Sequence, residues 1–415
     1  MYFALFALMG LASAKMCVNN TVTVNLSANN VNFNISAPKS QYEVTMMVQF
    51  LARQGQNATD RLASGFHSVN GTYTISTQFC RPDNMTGSNP VVQVLTHGVG
   101  FDKTYWDLSY DNYNYSYVNQ ATDTYGYCTL SYDRLGVGNS SKGEPINEIQ
   151  LNLEVEALNA LTSLLRTGSF PGVNHTFTTV LHAGHSFGSE LTYALVNTYP
   201  DASNGIALTG FSTNSSFMSQ FTQAANFANA NVNQPLRFGN YTLADIQSLL
   251  FKDITNPLFN YIAGITSLPP SQNLPNGYLV ASNAAAIQAL FFAPPFFDYT
   301  GLLPLAEETK QAATIGELLT TATLAPTNSF TGPVLVITGD QDTPFCGGNC
   351  LATGDPMVPS VISTTQKSFP NVPAGNFLAY VQPNTGHALN FHYNATGAYS
   401  VINSFFGRTV AMPSR

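Results

Sequence analysis

Thr178-Thr179-Val180-Leu181-His182-Ala183-Gly184-His185-Ser186-Phe187-Gly188 is the stretch that decides the fold. Its apolar start, Thr178–Leu181, reads as a buried strand, and Gly184–Gly188 fits the pattern G-x-S-x-G. Leu191, Ala194 and Leu195 then mark one face of a helix that ends before Pro200. Glycines at both ends permit a sharp, crowded turn that lifts the Ser186 hydroxyl above a sheet. The helix that follows aims its dipole and free amides at negative charge developing there. An inert serine in a tight turn is the plain alternative, and the flanking strand and helix argue against it.

Outward from this turn, short apolar runs alternate with helical ones. Val91–Leu95, Tyr127–Tyr132, Ile206–Leu208, Val334–Ile337 and Phe377–Val381 read as further strands. Ile149, Leu153, Leu158, Leu161 and Leu165 form one helical face that stops at Gly168. Strand alternating with helix predicts an α/β fold, a mostly parallel central sheet with helices on both faces. Before Pro90 the pattern is different. Val22-x-Val24-x-Leu26 and Val31-x-Phe33-x-Ile35 alternate with period two, which predicts antiparallel strands in a β-rich N-terminal extension over 15–89. The core is expected over 90–210 and 326–415, with a mainly helical cap inserted over 211–325, because a structureless loop of that length is improbable inside a compact domain.

A serine hydroxyl is a weak nucleophile until a base takes its proton, so an acid and a histidine should follow Ser186 in that order. The strand Val334–Thr338 runs into Gly339-Asp340-Gln341-Asp342, and Phe377–Val381 runs into Thr385-Gly386-His387. Both groups stand just past the carboxyl ends of strands, where α/β sheets bind ligands. His387 is the expected base, with His392 its competitor, and Asp342 is the expected acid, with Asp340 read as a turn cap. Two amides are needed for the tetrahedral oxyanion, each contributing about 3 kcal/mol in the transition state. Phe187 N–H supplies one, and Val99 N–H, in Thr96-His97-Gly98-Val99-Gly100, is expected to supply the second.

His97-Gly98 with Trp106 downstream, Tyr132-Asp133-Arg134-Leu135-Gly136-Val137-Gly138, Gly184–Gly188, Gly339–Asp342 and Gly386-His387 together resemble α/β-hydrolase-fold serine hydrolases with a cap inserted before the acid. The resemblance implies a Ser-Asp-His triad, acyl-enzyme chemistry and a structural role near the site for Asp133 and Arg134. Epoxide hydrolases and haloalkane dehalogenases resemble the same pattern but carry Asp at the turn, so Ser186 points to esters, thioesters, lactones or amides. Gly136-x-Gly138 lacks the third glycine of a dinucleotide fingerprint, and the spacing of His182 and His185 does not converge on a metal; no cofactor is expected. Phe291, Phe292, Phe296 and Phe297 are candidate walls of an apolar substrate pocket, with core packing of the cap the competing reading. A proline-iminopeptidase-like aminopeptidase is the alternative enzyme, since Glu307, Glu308 or Glu317 in the cap would hold a substrate amine. A non-catalytic secreted binding protein on the same fold is the second alternative.

Composition sets the compartment. Of 415 residues only 9% are charged, Lys+Arg 15 against Asp+Glu 23 for a net charge of -8. Without a basic excess there is no electrostatic footprint for nucleic acid. Met1–Leu11 is apolar and precedes Ala12-Ser13-Ala14, so 1–14 is expected to be a signal peptide, and no later run offers the ~20 apolar residues of a membrane span. Sequons at Asn19, Asn25, Asn34, Asn57, Asn70, Asn84, Asn114, Asn139, Asn174, Asn214, Asn240 and Asn394 fit secretion, glycans supplying solubility that charge does not. In an oxidising compartment the five cysteines leave one over. Cys346 and Cys350 are expected to close a short glycine-rich loop. Cys17 pairs with Cys80 if Cys128, inside an apolar strand, stays a buried thiol; Cys17 with Cys128 is the alternative.

Overall fold

The computed structural model describes residues 15–410 and 412, apart from 54, 56, 84, 86–89, 243 and 246–270. The expected leader 1–14 and the Asn84 sequon lie outside the described residues. The strands, in chain order, are β1 (Met16–Phe33), β2 (Ala63–Arg81), β3 (Val91–Thr96), β4 (Cys128–Tyr132), β5 (Thr179–His185) and β6 (Ile206–Thr209). They continue with β7 (Ala228–Asn229), β8 (Tyr278–Val280), β9 (Ala313–Thr314), β10 (Val334–Gly339) and β11 (Phe377–Gln382).

One eight-stranded sheet runs β1-β2-β4-β3-β5-β6-β10-β11. From β4 to β11 every pairing is parallel. β10 shows why its strands read as unbroken apolar runs: Leu335 and Ile337 enter one core and Val334 and Val336 the other, and all four are buried. A strand covered on both faces has no polar side to alternate with. The helix Leu151–Thr167 covers one face with Leu153, Leu158, Leu161 and Leu165, each fully buried and contributing roughly 1.5–3 kcal/mol. It ends on Gly168 at φ 69, the left-handed cap that glycine favours.

The N-terminal stretch is β-rich, and its strands extend the central sheet itself. β1 and β2 pair with each other and β2 pairs with β4, all antiparallel, so they form the edge of the central sheet. Two strands alone are marginal in water. These two bury Val22, Val24, Leu26 and Ala28 in the main core, with helix Leu151–Thr167 packed on β1, while Thr21, Thr23, Asn25 and Ser27 face outward. The register sets Cys17 opposite Cys80, and a disulfide joins them; a second joins Cys346 and Cys350, and Cys128 is a buried free thiol.

Between β6 and β10 the chain forms the helices Met218–Ala225, Ala284–Phe291, Leu302–Thr309 and Ile315–Thr320. It also forms a small antiparallel sheet, β7-β8-β9, that the sequence reading did not anticipate, because strands of two or three residues carry no readable period. The segment after β1 holds this layer from below. Gln41 Nε2 donates to Phe227 O at 2.8 Å and Asn229 Nδ2 donates to Pro38 O at 2.9 Å. No helix among the described residues is long and apolar enough to cross a membrane.

Candidate active site

Ser186 stands between β5 and the helix Phe187–Thr198 at φ 53, ψ −120, a conformation that a non-glycine residue adopts only under strain. The turn is too tight for side chains at its ends. A Cβ on Gly184 would come within 2.2 Å of Gly188 O, and one on Gly188 within 2.3 Å of Thr96 O. Strain of this kind persists where the surroundings enforce it. Ser186 N donates to Thr209 O at 2.9 Å, and Ser186 O receives the N–H groups of Ser189 and Glu190 at 2.7 and 3.1 Å.

Asp342 and His387 come from neighbouring parallel strands, β10 and β11, and meet beyond their carboxyl ends. His387 Nδ1 lies 2.8 Å from Asp342 Oδ2, and both side chains are fully buried. The carboxylate is fixed from the other side by Thr338 Oγ1 on Oδ2 at 2.5 Å and by Phe345 N on Oδ1 at 2.9 Å. The second contact follows from local sequence: Asp342-Thr343-Pro344 caps the short helix Thr343–Cys346, with proline in its first turn. An imidazole whose Nδ1–H donates to this carboxylate has its Nε2 lone pair free to accept a proton. His387 Nε2 is buried without a partner, so its bond to the Ser186 hydroxyl is not made in this conformation. Such bonds often tighten only when substrate is bound.

The competing residues have other partners. Asp340 Oδ1 accepts from Thr385 N at 3.0 Å, bracing the turn before His387. His392 Nε2 accepts from Ala293 N and Gly386 N at 2.9 and 3.0 Å, and Nδ1 faces Ala388 O at 2.9 Å. It pins the cap to the His387 loop, and burial pulls its imidazole down to about 4. His182 bonds Thr162 and Ser203, each at 2.9 Å. His185 stacks on Tyr105 with centroids 4.4 Å apart, and its ring lies 4.9 Å from that of His387. Burial, then the His387 and His97 charges, holds His185 well below the usual imidazole range, so it stays neutral beside the base.

Val99 and Phe187 flank Ser186 from two directions. Phe187 opens its helix, so its N–H belongs to the turn that lacks helical acceptors. The loop holding Val99 touches the serine: a Cβ on Gly98 would meet Ser186 Cβ at 2.9 Å. His97 steadies this loop, its Nδ1 2.9 Å from Gly98 O and its Nε2 accepting from Arg134 N at 3.1 Å.

The four phenylalanines separate. Phe291 stacks on His387 at 6.0 Å and lines a cavity of about 10 Å³, room for roughly one water, beside Val99, Gly100, Leu279, Ile287 and Leu290. Phe292 and Phe297 pack on each other at 4.5 Å, with Phe292 stacked on Phe391 at 5.4 Å, inside the main hydrophobic core. Phe296 is half-buried, and its carbonyl accepts from Tyr393 N. Lys310 and Gln311 also line the cavity. The sequence reading passed over both, since a lone Lys-Gln pair carries no recognisable pattern. Thr338 was equally silent, although its place at the end of β10, four residues before Asp342, was a usable signal.

The three carboxylates expected to hold a substrate amine differ in their surroundings. Glu317 is fully buried, caps its own helix with Thr314 and pairs with Arg134. Arg134 Nη1 also meets both oxygens of Glu154 at 2.9 Å. Burial opposes the Arg134 charge, yet the two carboxylates outweigh it and raise its pKa, while burial pushes Glu154 well above the carboxylate range. Glu307 pairs with Lys310 at 2.6 Å, and Glu308 is exposed. No metal-ligand cluster accompanies Ser186 among the described residues; the one grouping of suitable atoms, Cys17, Cys80 and Asp107, consists mostly of a disulfide.

Comparison with solved structures finds a thermophilic esterase from Thermogutta terrifontis at 13% identity, covering 82% of this chain and 95% of that one, TM-score 0.48. It also finds Est1E from Butyrivibrio proteoclasticus, solved with ferulic acid, at 12% identity, 81% and 96% coverage and TM-score 0.44. An epoxide hydrolase from Vigna radiata matches at 16% identity, 81% and 95% coverage and TM-score 0.43. No curated protein matches the sequence. The model of the alpha/beta hydrolase family matches residues 93–397, from β3 through the cap to the start of the last helix. The chain belongs to the alpha/beta hydrolase family and is a hydrolase.

Proposed function

We propose that this hydrolase is a secreted serine esterase that cleaves a small, largely apolar carboxylic ester, lactone or thioester with Ser186, His387 and Asp342. The observation that carries the reading is the buried 2.8 Å contact between His387 Nδ1 and Asp342 Oδ2 beside the strained Ser186 turn. Ser186 Oγ attacks the acyl carbon and its proton passes to His387 Nε2. The tetrahedral oxyanion is held by the Val99 and Phe187 N–H groups. As the intermediate collapses, the bond to the alkoxide breaks and the alkoxide leaves with the His387 proton. Water, deprotonated by His387, then attacks the acyl-enzyme, releasing the acid and restoring Ser186.

Asp342 holds the tautomer and stabilises the imidazolium. The region 211–325 acts as a cap over the site formed by 90–210 and 326–415. Glu317, buried and already paired with Arg134, is unavailable to a substrate amine. Secretion is supported by the two disulfides and by exposed sequon asparagines at 19, 25, 34, 57, 70, 114, 139, 174 and 240. Asn214 and Asn394 are half-buried, and Asn394 is bonded to Pro383 O and Thr385 Oγ1, which makes it a poor glycan acceptor.

The test is a fluorophosphonate probe with a panel of aryl esters, alkyl esters and proline-anilides. Labelling at Ser186, its loss in Ser186→Ala and turnover of esters alone are expected. Labelling that survives Ser186→Ala removes the nucleophile assignment, and turnover of proline-anilides alone replaces the esterase with the aminopeptidase.

A further inference from the structure

Resting on the serine-esterase reading, we propose that the cavity beside Val99 receives the acyl group, and that the acyl group carries a hydroxyl held between Lys310 Nζ and Gln311 Oε1. The walls are apolar: Val99, Leu279, Ile287, Leu290 and Phe291 are all buried. They adjoin both ends of the chemistry, Val99 on the oxyanion side and Phe291 against the base. The polar exceptions are two consecutive residues, Lys310 and Gln311, with relative exposures of 1% and 5%. Gln311 N donates to Gly100 O at 3.0 Å, which fastens this pair to the Val99 loop.

Each of the two has one hydrogen-bonding direction unused. An ammonium has three donors, and Lys310 Nζ gives them to Ala281 O at 2.8 Å and Glu307 Oε1 at 2.6 Å, leaving one. Gln311 Nε2 donates to Asp102 Oδ2 at 2.8 Å and to Thr309 O at 3.3 Å, which fixes the amide orientation. Its Oε1 is buried with no partner, in a residue that lines the cavity. Buried acceptors without a donor are rare in folded proteins and each calls for an explanation.

A hydroxyl is the group that answers both, accepting from Lys310 and donating to Gln311. An alkyl end answers neither. A carboxylate would accept from Lys310 but set negative charge against Gln311 Oε1, with the carboxylates of Glu307 and Asp102 already on the same two side chains. An ammonium would face Lys310. The substrate class is therefore an ester of a hydroxy acid, its chain apolar between the carbonyl and the hydroxyl.

The experiment is a pH-stat assay of the full enzyme on ethyl butanoate, ethyl 3-hydroxybutanoate, ethyl hexanoate, ethyl 6-hydroxyhexanoate and monoethyl succinate, alongside fluorophosphonate labelling. At least one hydroxyacyl ester should exceed its plain counterpart in kcat/KM by about tenfold or more, because a site built for a hydroxyl penalises its loss. Monoethyl succinate should be the poorest substrate, and Gln311→Met and Lys310→Met should each bring the hydroxyl-to-plain ratio towards one. A labelled, active enzyme with a ratio of one or less overturns the hydroxyl assignment without any variant being needed. A ratio that Gln311→Met leaves unchanged overturns the residue assignment. An enzyme that neither labels nor cleaves any ester loses the esterase reading itself, and this pocket assignment falls with it.

Discussion

The parallel core and the cap solve different problems by different means. In the core, Ser186, Asp342 and His387 follow the carboxyl ends of β5, β10 and β11, and the strand order brings them together. Backbone pairing does the positioning, and side chains such as Thr338 add the last fraction of an ångström. Between β6 and β10 the regular elements are short; their buried residues, such as Phe221, Leu290, Phe291 and Ile315, join the main hydrophobic core, and individual polar contacts add to that packing. Glu317 reaches Arg134, Gln311 reaches Asp102 and Gly100, His392 reaches Ala293, and Asn229 reaches Pro38. A core fixed by a sheet keeps its geometry when one side chain changes. A layer of short elements, whose placement rests on side-chain packing and single polar contacts rather than on a long ladder of backbone pairs, is more open to single substitutions.

That contrast is open to direct attack. The largest effect is expected from Asp342→Asn, which keeps the side-chain size but withholds the anion that orients His387: kcat should fall about 10³–10⁴-fold with the unfolding midpoint little changed. A loss under tenfold in a well-folded variant would remove Asp342 from the mechanism. Next comes Arg134→Met, which leaves Glu154 and Glu317 facing each other in the interior and should lower stability by about 3–5 kcal/mol. Glu317→Gln, which loosens the cap side alone and keeps a capping side chain for Thr314, should cost less than half of that in denaturant titration. Equal losses would mean that the cap depends on this tie as strongly as the core does.

The most gradual expected effect, a slope with pH rather than a loss at one pH, concerns Glu190, in the first turn after Ser186, where burial pushes the carboxyl from its usual 4.5 up to about 8 despite Arg134 nearby. Between those two values the folded protein holds a proton that the unfolded chain has lost. This contribution is whole below about pH 4.5 and declines by roughly 1.4 kcal/mol per pH unit up to about pH 8. Glu190→Gln should lose that slope from its own stability–pH curve, so that the difference between the two curves changes by roughly 1.4 kcal/mol per pH unit over this range. Parallel curves from pH 5 to 8 would show that Glu190 is ionised in the folded state.

Much of the core was legible because its signals are local. The G-x-S-x-G turn, the apolar runs ending in Gly339–Asp342 and Gly386-His387, and the helical face that stops at Gly168 all reside in a few consecutive residues. The same locality marked Cys346 and Cys350 as partners. The sequence by itself therefore determined the α/β class and which residues stand at the strand ends, since strand burial and turn chemistry depend on neighbours in the chain. Tertiary structure alone decided that β1 and β2 continue the central sheet, that Phe292 and Phe297 enter the main core beside Phe391 while Phe291 faces His387, and that Glu317 is spent on Arg134. It also brought Lys310 and Gln311, 211 and more residues after Val99, to the wall beside it. Those outcomes depend on which surfaces meet across long sequence separations, and a side chain's partner there is settled by the packing of both segments together.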